Sequence, residues 1–153
     1  MGQQQGLEKL NVWRRAMDFA VWVCKNVVPL LPADERFALA SQLRRSVQSI
    51  PANIAEGYGR FYYQDNIRFC YIARGSLEEM RSHLEFAREM DYLPAQVNAR
   101  GFEEMETVRK LISGYITYLK TNRPGSQEPG ASIHEKPSDY IITGDVVDSF
   151  DFE

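Results

Sequence analysis

The stretch Gln42-Leu43-Arg44-Arg45-Ser46-Val47-Gln48-Ser49-Ile50-Pro51-Ala52-Asn53-Ile54-Ala55-Glu56-Gly57-Tyr58-Gly59-Arg60 carries two periodic patterns at once. At about 100° per residue, Gln42, Arg45, Ser49, Asn53, Glu56 and Arg60 fall on one stripe. Leu43, Val47, Ile50 and Ile54 fall on another, roughly a quarter turn away. The segment therefore reads as a helix with a core face and a separate hydrogen-bonding face. A solvated face is one explanation of the polar stripe, with Glu56 and Arg60 as an i,i+4 pair. An ordinary exposed helix favours Glu, Lys and Ala, however, whereas this stripe mixes Ser, Asn and Gln with few charges. The expectation is a polar contact buried against another helix or another subunit.

The same period extends outward in both directions. Trp13, Ala16, Ala20, Val23, Val27 and Leu30 form an earlier stripe; Phe69, Ala73, Leu77, Met80, Leu84 and Ala87 form a later one. Met105, Val108, Ile112, Tyr115 and Leu119 complete a fourth. Breaks fall between them at Leu31-Pro32-Ala33-Asp34-Glu35, Gly57-Tyr58-Gly59, Asp91-Tyr92-Leu93-Pro94 and Asn122-Arg123-Pro124-Gly125. The spacing predicts helices over residues 8–30, 33–58, 62–90 and 95–122. Connections this short make neighbours antiparallel, so the expected fold is all-α, an up-down-up-down four-helix bundle over residues 1–123.

Beyond residue 123 the composition changes. Residues 1–123 hold 17 Lys+Arg against 14 Asp+Glu, a balance of +3, whereas residues 124–153 hold 1 against 7, or −6. A Pro/Gly/Ser linker leads to Tyr140, Ile141, Ile142, Val146 and Val147, then Phe150 and Phe152 set between acids. Such a segment suits a partner-binding tail that orders on contact. It could fold back on the basic body or recruit another protein; the apolar anchors favour the second. A solvated acidic tail that only aids solubility would not need them.

No run of about 18 apolar residues exists, which argues against a membrane partner. The N-terminal Met1-Gly2-Gln3-Gln4-Gln5 lacks the order of a signal peptide, so the expected location is cytoplasmic. Cys24 and Cys70 are too few and too far apart for a disulfide framework or a CxxC metal site. A di-iron bundle needs Glu and Glu-x-x-His sets from four helices. Only His83 lies within the bundle, four residues after Glu79, and no nucleophile motif or phosphate-binding glycine loop is present. The chain is expected to be non-enzymatic, with no cofactor or metal.

The third helix has two informative faces. Arg74, Glu78, Arg81, Glu85 and Arg88 alternate in sign and neutralise one another, as a salt-bridged solvent face does. On another side lie Ile72, Gly75, Glu79, Ser82 and Phe86. Gly75 costs about 1 kcal/mol relative to Ala in a helix interior, which close approach of a second helix would offset.

Several motifs together carry a resemblance: Trp13 with Ala16, Pro32-x-x-Glu35-x-Phe37, Gln42-x-Arg44-Arg45, Ser49-Ile50-Pro51-x-Asn53-Ile54-x-Glu56-Gly57-x-x-Arg60, Ala73-x-Gly75-Ser76-x-x-Glu79 and Asp91-Tyr92-Leu93. They resemble the four-helix-bundle proteins encoded by intervening sequences in bacterial 23S ribosomal RNA genes, over about residues 8–120. The accessory variability determinants of diversity-generating retroelements look like relatives of that family. The resemblance implies an up-down bundle assembling as a homopentameric ring and, in the retroelement branch, an adaptor that binds a reverse transcriptase and its RNA. The modest charge of the body and the acidic tail depart from that pattern.

Two readings follow. In one the chain is an oligomeric adaptor for RNA or DNA and a protein partner such as a reverse transcriptase, with Arg14, Arg15, Arg44, Arg45 and Arg68 as phosphate contacts. In the other it is a structural or protein-interaction oligomer without nucleic acid. In both, the stripe Gln42, Arg45, Ser49, Asn53, Glu56 and Arg60 meets the face Ile72, Gly75, Glu79, Ser82 and Phe86 at the subunit interface.

Overall fold

The structure, a computed structural model, describes residues 6–60 and 62–127. The tail positions Tyr140, Ile141, Ile142, Val146, Val147, Phe150 and Phe152 lie outside the described residues. Four helices form: α1 (Asn11–Asn26), α2 (Leu39–Tyr58), α3 (Tyr63–Glu89) and α4 (Ala95–Asn122). Each packs on the next, and α4 closes the ring against α1. Arg45 reaches Glu79 while Gly57 lies against Asn66, so α2 and α3 run antiparallel. Asn66–Tyr115 and Arg88–Phe102 show the same for α3 and α4. The fold is the expected all-α bundle.

The apolar stripes become the core. Leu43, Val47, Ile50 and Ile54 are fully buried, as are Ala73, Met80, Leu84, Val108 and Ile112. Side chains at i, i+3, i+4 and i+7 share one helix face, which removes that face from water as the four helices close.

Three boundaries differ from the periodicity. The first helix begins at Asn11 rather than residue 8, behind a 3-10 turn at Leu7–Lys9. It stops at Asn26 rather than residue 30, and Val28–Leu30 forms a separate 3-10 turn. Pro29 lacks the N–H that another α-helical turn requires. Leu30 consequently leaves the core stripe and is 45% exposed. The second helix begins at Leu39 rather than residue 33, after a short turn at Ala33–Glu35. Its start is fixed by Glu35, whose Oε2 accepts the Leu39 N–H at 3.1 Å while Oε1 accepts the Tyr92 hydroxyl at 3.0 Å. One carboxylate thus satisfies an orphan helix donor and ties the α1–α2 and α3–α4 connections together.

At Gly57 α2 comes close against α3. A Cβ there would lie 2.9 Å from the Cβ of Phe69 and 3.0 Å from the Asn66 carbonyl oxygen, so any side chain would push α2 off α3. Below it, α4 ends on Arg123 with a left-handed φ of 45°, and the Tyr63 N–H donates to the Pro124 carbonyl at 3.1 Å.

Candidate assembly face and cationic groove

The two stripes expected at a subunit interface lie side by side on one outward surface. Arg45 Nη2 donates to Glu79 Oε1 at 2.9 Å and to Gln42 Oε1 at 2.9 Å. The Ser49 and Ser76 hydroxyls are 2.8 Å apart, and Asn53 Nδ2 donates to the Ser49 carbonyl and hydroxyl at 2.8 and 2.9 Å. Arg60 pairs with Glu56 at 2.6 Å and stacks over Phe69. Part of the polar stripe is therefore consumed in sewing α2 to α3 within the chain. Glu79 also lies 3.6 Å from His83 Nε2.

Beyond that seam the α3 face opens outward. Ile72 and Phe86 are about half exposed, at 46% and 49%. Gly75 and Ser82 are exposed as well, and a Cβ at Gly75 would meet no atom of this chain within 4 Å. The glycine answers to no packing inside the bundle.

The five arginines proposed as phosphate contacts are spread over α1, α2 and α3. Arg14 lies 3.7 Å from Asp18. Arg15 is half-buried and donates to Glu104 on α4 at 3.1 Å. Arg45 is held by Glu79. Arg44 on α2 and Arg68 on α3 are exposed and have no carboxylate in ion-pair distance among the described residues. Three of the five are thus already compensated, although exposed pairs of this kind contribute at most about 1 kcal/mol and can be exchanged for other partners.

The alternating row of α3 is not a plain solvent face. Arg88 does pair with Glu85 at 2.7 Å, but it also stacks over Phe102 of α4. Arg81 and Glu78 border a depression of about 110 Å³ between α3 and α4, floored by Leu77, Phe102 and Met105. Glu106 on its rim takes two hydrogen bonds from Arg109, at 2.7 and 2.9 Å, and these hold its carboxyl below the usual range. Further along the same groove Tyr71 carries Arg74 over its ring at 4.8 Å and Lys120 at 5.8 Å. The sequence signal for this groove was present but unread: from Thr107 to Gln127 there are four basic residues and no acid.

Among the described residues no group of three or more His, Cys, Asp or Glu side chains is placed to hold a metal ion, and no helix is long and apolar enough to cross a membrane. Cys70 is buried, with its thiol pushed up to about 12 by desolvation.

The fold and surface define a small antiparallel helical bundle of a recognisable class. Residues 8–114 match the 23S rRNA-intervening sequence protein family, and the chain belongs to it. A solved structure from Bacteroides thetaiotaomicron, described as a protein of unknown function from the S23 ribosomal protein family, is similar at a TM-score of 0.63 and 25% identity. The match covers 69% of this chain and 95% of that one. No curated protein matches. Neither finding speaks of a retroelement or a reverse transcriptase.

Proposed function

We propose that this chain is a non-enzymatic protein-interaction subunit that assembles with copies of itself through the outward α2/α3 face. The observation that carries the reading is the combination of Gly75, open to solvent, with half-exposed Ile72 and Phe86 on one stripe. Large apolar side chains on a regular stripe are the usual mark of a contact surface. A glycine without internal packing among them lets a second backbone come close. A ring of five is the assembly that the family resemblance implies.

Gly75→Leu tests the reading cleanly, because the space around that position is empty in the single chain and the bundle can fold with the larger residue. Sedimentation of the full chain should show an oligomer, and the variant should run smaller with its helix content retained. An unchanged oligomer in the variant, or a monomeric parent, overturns the assignment.

A second reading, an adaptor for RNA or DNA that serves a partner such as a reverse transcriptase, draws support from exposed Arg44 and Arg68. Single-stranded RNA added to the same sedimentation run at low salt decides it. Binding that weakens steeply with salt and is lost on replacing both arginines by Gln supports the adaptor. No binding leaves the protein-interaction reading alone.

A further inference from the structure

We infer that the groove between α3 and α4 is the seat of the chain's own acidic C-terminal segment, with Phe150 or Phe152 in the apolar depression and the neighbouring acids on its cationic rim. The groove offers two things side by side. Its depression has an apolar floor of Leu77, Phe102 and Met105. Its lower half presents Tyr71 with Arg74 and Lys120 over the ring. Among the described residues neither cation has a carboxylate within ion-pair distance. On the rim of the depression Arg81 and Arg109 are matched in number by Glu78 and Glu106, so the groove's excess of two positive charges is that of Arg74 and Lys120.

The occupant is argued from chemistry and connection. Asp148-Ser149-Phe150-Asp151-Phe152-Glu153 alternates aromatic rings with carboxylates, the inverse of a groove that sets an apolar hollow among cations. Charge complementarity of this kind fixes register as well as attraction. The chain also leaves the bundle at the right place. Pro124 is held to Tyr63 at the foot of the groove, so the segment starts beside its seat. Met105 lies about 22 Å along α4 from Lys120, at 1.5 Å per residue. The 23 residues from Gln127 to Phe150 span up to about 76 Å when extended, so reach sets no limit. An intramolecular seat also benefits from a local concentration that no free partner has. This surface shares no residue with the α2/α3 assembly face, so the two proposals fail independently.

Amide chemical shifts of the full chain at low salt test the inference. Phe150→Ala/Phe152→Ala should move the signals around Leu77, Phe102 and Met105, though the substitutions touch no helix. Arg74→Glu/Arg81→Glu, on either side of Leu77 along α3, should produce the same shifts, and adding Asp148→Lys/Asp151→Lys to that variant should restore the parent pattern. High salt should mimic the tail variant, and dilution should leave the groove signals of the parent unchanged. The inference is overturned if the tail substitutions leave the groove signals in place. It is equally overturned if the affected signals map to Ile72 and Phe86, or if the effect vanishes on dilution, as a contact between copies requires.

Discussion

Cys70 shows how a single residue reports on the whole core. Its thiol is fully buried on α3, 3.7 Å from the Asn66 side-chain oxygen, and desolvation raises its ionisation to about 12. An exposed thiol ionises near 8.5. The proton is therefore held more tightly in the folded chain: the full contribution to stability is present below about pH 8.5 and is lost as pH rises towards 12. At pH 8 a thiol reagent should modify the half-buried Cys24 in the native protein and reach Cys70 only through unfolding. Equal rates at both cysteines would show that the α2–α3–α4 core opens far more readily than its packing implies. The residue scale is also where the sequence was least legible. Helical spacing marked Gly75 as a close approach, yet within the chain that role falls to Gly57, which the sequence suggested only as a loosening of the helix end. The angular position of a glycine is written in the sequence; which neighbour stands on that side is set by the packing of all four helices.

At the scale of elements, the connections explain both what was legible and what was not. Four stripes at 3/4 spacing placed the helices, and the core residues of α2, α3 and α4 follow them closely. The predicted spans include residues 28–30 and 33–38 in the first two helices, but Pro29 and the Glu35 cap divide the chain there into short turns. That cap depends on a carboxylate whose second oxygen meets Tyr92, a contact 57 residues away that no local pattern encodes. The α3–α4 groove escaped for a similar reason. Each helix supplies half of it, and neither half is periodic by itself. The end of α3 yields a prediction of its own. Asp91 holds a left-handed φ of 56° while the Tyr92 N–H donates to the Ala87 carbonyl and the Asp91 N–H to the Arg88 carbonyl. This is the hydrogen-bonding pattern of a glycine-terminated helix, built on a residue that carries a Cβ and a negative charge at the helix C-terminus. Asp91→Gly should stabilise the chain by about 1 kcal/mol in urea unfolding. A loss of stability would show that the aspartate makes a contact worth more than its strain.

For the molecule as a whole, every buried core residue among those described lies between Val12 and Leu119. A chain ended at Gln127 should therefore keep its helix content and, at high salt, melt close to the full chain. Ending at Arg123 instead removes the Pro124 carbonyl that accepts the Tyr63 N–H, and that version should melt slightly lower. Dissociation of the oligomer on ending at Gln127 would place the tail within the assembly and move the domain boundary. The even number of antiparallel helices also has a geometric consequence. Asn11 begins α1 and Asn122 ends α4 at the same pole of the bundle, where the Tyr63 N–H holds the Pro124 carbonyl. Were copies to join as a ring whose axis runs along the helices, all their acidic segments would start from one rim. A binder with several sites facing that rim, once it displaces the segments from their grooves, would meet them as a cluster, and weak individual contacts would combine into a tight multivalent grip.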